Sequence, residues 1–172
     1  MNALRDTAYQ IDPALWVRRV LAIEPAPWQE QFLRAPLGAS IVALTARQVG
    51  KTTTAAWAIA HSMWFKTAAL SVIACPVVRQ SAEAVRRVRD ILIQLGAELR
   101  TDNVYALELK NGARLLALPG SDDSIRGLTV DGWIIADEAA RLTDNLITAL
   151  RADAGAPSAS AICDVVDGVE PH

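Results

Sequence analysis

The stretch Thr45-Ala46-Arg47-Gln48-Val49-Gly50-Lys51-Thr52 decides the fold of this chain. An apolar run, residues 41–44, precedes it, and an alanine-rich segment follows from Thr53 onward. A buried strand, a tight loop ending in Gly-Lys-Thr and then a helix is the order that a phosphate-binding P-loop requires. Backbone N–H groups of the loop and of the first helical turn point at one place, and the helix dipole favours an anion there.

Three residues of this loop would have particular roles in a phosphate-binding P-loop. Gly50 allows the backbone to approach the phosphates closely. Lys51 can place its charge on the β- and γ-phosphates, and Thr52 can offer its hydroxyl to Mg²⁺. The first glycine of the G-x-x-x-x-G-K-T pattern is replaced by Thr45. Because Gly-Lys-Thr also occurs at ordinary helix N-termini, where threonine only caps the helix, the loop alone leaves a purely structural interpretation open.

Length and composition define the broad class of protein. With 172 residues, 52% of them hydrophobic and 21% charged, we expect one globular domain with a sizeable core and not a disordered chain. The formal net charge of −2 gives no global signal for nucleic-acid binding, although it does not exclude a local basic patch. Cys75 and Cys163 lie far apart and are expected to be free thiols in a reducing compartment.

The chain contains no segment that we would assign to a membrane. No uncharged apolar run approaches 18 residues. The first residues also lack the apolar core of a signal peptide. The sequence therefore predicts a cytoplasmic protein with no membrane partner.

Upstream of the loop the sequence predicts helical structure. Asp12-Pro13 is a typical helix start, and that helix should end before Pro25. Gln29 lies in a second short segment, just before the P-loop strand. A glutamine amide can bond adenine through N6 and N7, so Gln29 is a candidate for recognising the base. The alternative is a short helix that packs on the core and has no direct function.

Downstream of the loop, helical and apolar segments alternate. Residues 68–75 read as a buried strand, and residues 79–95 have apolar positions at helical spacing. The arginines of that helix predict either a solvated face or a track for the phosphate backbone of a duplex. Two alternating runs, 105–109 and 113–118, flank an Asn-Gly pair and predict a hairpin.

A second motif ends the buried strand predicted at residues 132–136. Asp137-Glu138 follows this strand directly. Mg²⁺ bound with a nucleotide requires a carboxylate at the edge of a strand near the P-loop, and this position fits Asp137. The next carboxylate, Glu138, can orient the attacking water or accept its proton. The pair can also be read as an acidic start to the following helix, but with a P-loop upstream the joint interpretation is favoured.

With these residues assembled, the chain resembles the ATPase domain of the large terminase subunit, the DNA-packaging motor of tailed phages. The resemblance extends from about residue 24 to about residue 145. The matching stretches are Pro27-Trp28-Gln29, Ala46-Arg47-Gln48-Val49-Gly50-Lys51-Thr52-Thr53, Cys75-Pro76, Gln80-Ser81-Ala82-Glu83, Ser124-Ile125-Arg126-Gly127 and Trp133-Ile134-Ile135-Ala136-Asp137-Glu138-Ala139-Ala140. This family often lacks the first glycine of the loop.

The resemblance implies an α/β fold of the RecA-like P-loop type, with a mainly parallel sheet and helices on both faces. It implies ATP and Mg²⁺ as cofactors, with Glu138 and Arg47 as catalytic residues and with Thr52 and Asp137 at the metal. The implied nucleotide-binding residues are Gln29, Arg47, Gln48, Val49, Gly50, Lys51, Thr52 and Thr53. The implied partners are double-stranded DNA, the portal protein and the small terminase subunit. The implied assembly is a homo-oligomeric ring in the host cytoplasm.

The C-terminal region departs from the family. In the family, a further strand after the Asp-Glu strand carries a coupling motif of small hydroxyl residues. Here residues 146–151 read as a helix and residues 152–161 are small and loop-like, so we find neither the motif nor a further strand. We therefore expect an ATPase domain at 1–151, an irregular tail at 152–172, no nuclease domain, and a fold that is incomplete at its C-terminal end. Two alternatives remain: a truncated or split nucleotide-binding remnant with little ATPase activity, and another helicase-like nucleic-acid motor.

Overall fold

The computed structural model describes residues 3–36, 38–45, 49–119, 129–154 and 160–167. Its helices are α1 (Ala3–Ile11), α2 (Pro13–Val20), α3 (Pro27–Leu33), α4 (Lys51–Phe65), α5 (Val78–Gln94) and α6 (Asp144–Ala154), with a 3₁₀ turn at Ala139–Arg141. Its strands are β1 (Ile41–Thr45), β2 (Leu70–Cys75), β3 (Leu99–Asp102), β4 (Ala106–Leu109), β5 (Arg114–Pro119), β6 (Trp133–Asp137) and β7 (Ser160–Asp167).

The strands form one seven-stranded sheet in the order β1-β7-β6-β2-β5-β4-β3. The pairs from β1 across to β5 are parallel. The hairpin strand β4 and then β3 continue the sheet in antiparallel pairing, as the Asn-Gly turn predicted. Since β1, β6 and β2 are parallel, the loops that follow them meet at one edge of the sheet.

Apolar residues pack on both faces of the sheet. Alternate residues of β6 face opposite sides, with Ile135 in a large cluster and Ile134 in a smaller one. Residues of α2, α3, α4 and α5 complete the large cluster, and α6 covers the other face through Leu146 and Leu150. The predicted mainly parallel sheet with helices on both faces is therefore confirmed.

The prediction of an irregular tail was wrong for part of its length. Residues Ser160–Asp167 form β7, which pairs with β1 on one side and with β6 on the other. The strand β6 therefore has a parallel neighbour on each side, β2 and β7. The strand β7 is stabilised by pairing with two parallel neighbours, and local amino-acid composition does not reveal such pairing. In the described part of the chain, the edge strands of the sheet are β1, which pairs only with β7, and β3, which pairs only with β4.

Within the ranges that the structure describes, every helix is too short or too polar to span a bilayer.

Gly132 fixes the start of β6 against β2. Its N–H donates to the Leu70 carbonyl at 2.9 Å. An added Cβ would lie 2.3 Å from Ser71 Oγ and 2.7 Å from that carbonyl oxygen. Gly132→Ala should therefore lower the free energy of unfolding by about 1–3 kcal/mol, since overpacking forces the backbone apart. Chemical denaturation measures the effect, and an unchanged midpoint would contradict it.

Candidate active site

A cleft of about 810 Å³ opens at the carboxyl edge of the parallel strands. The start of α4 forms one wall, the first half of α5 forms another, and the end of β6 lies between them. The lining residues are Gly50, Lys51, Thr52, Thr53, Val77, Arg79, Gln80, Glu83, Arg87, Asp137 and Glu138. The topology thus brings the two predicted motifs to one place.

Gly50 gives the loop the backbone conformation that the predicted P-loop needs. It is the N-cap of α4 with φ 91° and ψ 23°, a left-handed conformation that suits glycine. A Cβ here would lie 3.2 Å from Gln29 Nε2, so the space is also restricted. The helix that follows points its N-terminus, and therefore its positive dipole end, at the cleft.

A hydrogen bond links the P-loop to the acidic motif. Thr52 Oγ1 donates to Asp137 Oδ2 at 2.9 Å, across 85 positions of sequence. A hydroxyl and a carboxylate side by side are hard oxygen ligands, which Mg²⁺ prefers. Mg²⁺ bound with a nucleotide takes only one or two protein ligands and completes its shell with phosphates and waters. The donor set therefore fits the ion that the sequence predicted.

Glu138 lies at the end of β6 in an unusual backbone conformation. Its φ of 54° and ψ of 47° are in the left-handed region, which costs a residue other than glycine about 1–3 kcal/mol. One carboxylate oxygen accepts from Gln80 Nε2 at 3.1 Å, and the other accepts from Arg141 Nη1 at 2.8 Å. The carboxylate is 21% exposed and reaches the cleft.

Gln29 lies beside Gly50 and the first turn of α4, and its side chain is not among the described residues that line the cleft. It is 7% exposed. Its oxygen accepts from Ala26 N–H at 2.8 Å, and its nitrogen donates to Thr54 Oγ1 at 2.8 Å. The nitrogen therefore holds α3 against the first turn of α4, while the oxygen caps the start of α3 itself. The assignment of Gln29 to adenine stays a prediction, and binding the base would break both hydrogen bonds.

The remaining predicted residues are placed as follows. Arg47 and Gln48 lie outside the described residues, as does the Ser124-Ile125-Arg126-Gly127 stretch. Val49 is 38% exposed at the end of the loop. Thr53 lines the cleft, and its hydroxyl accepts from Arg87 Nη1 at 3.3 Å.

Sequence reasoning missed the contribution of α5 to the cleft. Arg79, Gln80 and Arg87 line it, because α5 starts directly after β2 at the same edge of the sheet. The sequence signals were the position of this segment after a buried strand and the Gln80-Ser81-Ala82-Glu83 stretch that matches the family.

The arginines of α5 are largely paired with carboxylates. Arg86 bonds Glu83 and Asp90, and Arg87 bonds Glu83. Arg89 contacts Asp102 at 3.4 Å. Because these arginines pair with carboxylates, a solvated face is favoured over a track for the phosphate backbone of a duplex.

Cys75 ends β2 near the acidic pair. Burial raises the pKa of its thiol to about 12, and the negative charge of Asp137 acts in the same direction. The thiol is therefore neutral at physiological pH and unsuited to act as a nucleophile.

Comparison with solved structures gives the same fold. The ATPase domain of the large terminase of Thermus phage P74-26 superposes with a TM-score of 0.77 at 19% identity, covering 92% of this chain and 72% of that one. The HK97 bacteriophage large terminase gives 0.71 at 18% identity, covering 92% and 37%. The large terminase of the thermophilic bacteriophage D6E in complex with ADP gives 0.62 at 15% identity, covering 91% and 38%.

The likeness to these structures confirms the predicted RecA-like ATPase fold. A search of curated proteins returned no match. The family model for the N-terminal region of the T4likevirus-type large terminase subunit matches residues 42–157, more than half of the chain. The chain therefore belongs to the family of phage large terminase subunits.

Proposed function

We propose that this domain binds ATP with Mg²⁺ in the cleft between α4, α5 and β6 and hydrolyses it to power DNA packaging. The observation that carries the proposal is the hydrogen bond from Thr52 to Asp137, which joins the P-loop to the acidic motif. The large terminase of bacteriophage D6E, which has the same fold, has been solved with ADP and with ATP-gamma-S, which supports ATP as the nucleotide.

The binding residues act on the phosphates. Lys51, at the first position of α4, adds its charge to the dipole of the helix N-terminus. Thr52 and Asp137 would hold Mg²⁺, which would supply positive charge against the negative charge that develops on the phosphates. The backbone N–H groups of Gln48, Val49 and Thr53 would complete the cradle for the phosphates.

The hydrolytic step needs a base and a cation at the γ-phosphate. Glu138 orients the attacking water and accepts its proton while the water oxygen bonds to phosphorus. The bond between the γ-phosphorus and its bridging oxygen breaks, and the electron pair leaves with ADP. We assign to Arg47 a bidentate contact with the γ-phosphate, a geometry that a planar guanidinium favours.

The wider role follows from family membership and is also proposed. Such a domain would act on double-stranded DNA with a portal protein and a small terminase subunit, as one member of a homo-oligomeric ring in the host cytoplasm. The chain spans 37–38% of the two complete large terminases compared above. We place the ATPase domain at residues 1–167, since β7 completes the neighbours of β6. The pairing of β7 with β6 therefore argues against a truncated remnant with little ATPase activity.

A single threonine tests this function. The 172-residue chain should release phosphate from ATP in the presence of Mg²⁺, and EDTA should abolish the release. Thr52→Val keeps the size of the side chain but removes its hydroxyl, so turnover should fall by at least about 10-fold. Phosphate release measures turnover with and without EDTA, and calorimetric titration with Mg²⁺-ATP measures binding.

The matched control for this test is Thr67→Val, an exposed threonine in the turn after α4. It should leave turnover unchanged. Hydrolysis that continues in EDTA, or a Thr52→Val variant as active as Thr67→Val, would contradict the proposed metal site. No binding of ATP by the wild-type chain would contradict the function itself.

A further inference from the structure

Gln80 contacts the proposed catalytic base from a fixed position. It lies in the first turn of α5, where its own N–H donates to the Val77 carbonyl at 2.9 Å. Since β2 and β6 are neighbours, the start of α5 after β2 faces the end of β6. Gln80 Nε2 thereby reaches Glu138 Oε1 at 3.1 Å, across 58 positions of sequence.

Chemistry fixes the orientation of this amide. The carboxylate of Glu138 only accepts hydrogen bonds when it is ionised, so the nitrogen of the amide must face it. The oxygen of the amide then points away from Glu138. This oxygen is buried and has no hydrogen-bond partner among the described residues.

An unsatisfied buried oxygen makes Gln80 a poor choice for stability alone. Burying a polar atom without a partner is unfavourable, and an apolar side chain of the same size would avoid this cost. Residues that are kept in spite of such a cost concentrate at functional sites. The contact that offsets it here is the one made by the amide nitrogen with Glu138.

The other donor to Glu138 is a weaker restraint. Arg141 is 64% exposed and bonds the carboxylate across a single turn. Exposed ion pairs of this kind hold a side chain loosely, because solvent and salt screen them. Gln80 is the more buried donor, on a regular helix packed against the sheet, so it sets the direction in which the carboxylate points.

We propose that Gln80 is a positioning residue for hydrolysis, which holds the carboxylate of Glu138 in its reactive orientation at a cost to stability. This inference rests on the proposed function, since it assigns a role to Gln80 only if Glu138 acts on the attacking water. A displacement of a catalytic group by about 1 Å can lower the rate by about 100-fold.

Gln80→Met tests the proposal, because methionine keeps the length and volume of the side chain but removes both polar atoms. The value of kcat should fall by about 10- to 100-fold, while the affinity for Mg²⁺-ATP should stay within about twofold of wild type. The melting temperature should stay the same or rise, since the unsatisfied oxygen is gone. A residue with a merely structural role would lose stability and activity together.

Two variants control the experiment. Gln94→Ala removes an exposed glutamine at the end of the same helix and should leave kcat unchanged. In a Glu138→Gln background, Gln80→Met should have little further effect on kcat, because two residues that act through one group are not additive. If Gln80→Met turned ATP over normally while Glu138→Gln was inactive, the role of Gln80 would be wrong but the proposed function would stand.

A readout without turnover separates this inference from the proposed function. The side-chain amide of Gln80, assigned by its loss in Gln80→Met, should shift in ¹⁵N-¹H spectra when Glu138→Gln removes the charge. It should not shift in Gln94→Ala. An unchanged amide signal would overturn the contact even in a chain that did not hydrolyse ATP, whereas absent hydrolysis with a shifted signal would count against the proposed function.

Discussion

Replacing Glu138 by glutamine is expected to lower the turnover of ATP by about 100-fold or more while leaving ATP binding unchanged. A positioned general base contributes about 10²–10⁴-fold to a rate, and an uncharged amide cannot accept the proton of the attacking water. The amide oxygen can still accept the hydrogen bond from Gln80, so the fold of the site should be retained. Steady-state phosphate release gives kcat, and calorimetry gives the affinity.

The matched control is Glu98→Gln, which removes one negative charge from an exposed position on the surface. It should affect neither quantity, so a change common to both variants would reflect net charge and not the site. Turnover by Glu138→Gln within a few-fold of wild type would show that another group activates the water. A large loss of ATP affinity would instead place Glu138 in nucleotide binding.

The two nucleotide motifs were predictable because each is a local pattern with a fixed structural context. An apolar run before Gly-Lys-Thr, and another before Asp-Glu, determine strands whose carboxyl ends carry the site. The contact between Thr52 and Asp137 follows from the parallel pairing of these strands through β7. The sequence patterns were therefore sufficient to bring the P-loop and the acidic pair to one edge of the sheet, but not to predict the wall that α5 contributes.

The strand β7 was not predicted, because its order depends on its neighbours. The segment before it is rich in alanine, glycine and serine, which have weak preferences for strand structure. Of its two partners, β1 lies far away in sequence, and β6 is separated from it by α6. A strand that pairs with a parallel strand on each side draws its stability from that pairing, and local propensity contributes little.

The roles of the two amides could not be read from composition or spacing. Gln29 contacts Thr54 across 25 positions, and Gln80 contacts Glu138 across 58. A glutamine can donate and accept in many geometries, so only the fold decides which partner it meets. The adenine assignment of Gln29 rested on what the amide can bind, whereas the structure shows what it contacts in this state.

Replacing Lys51 by alanine is expected to weaken ATP binding by at least about 10-fold, equivalent to about 1.4 kcal/mol. Lys51 lines the cleft at the first position of α4, so its charge and the helix dipole would act on the same phosphates in the proposed function. Alanine is a strong helix former, so α4 should persist.

Calorimetric titration of the 172-residue chain with Mg²⁺-ATP measures the effect of this substitution. Lys110→Ala is the control, since it removes the same charge from the exposed end of β4 without touching the cleft. If only net charge mattered, both variants would lose affinity equally. If Lys51→Ala bound ATP as tightly as wild type, the loop before α4 would not be a P-loop in function, and Gly50, Lys51 and Thr52 would only begin a helix.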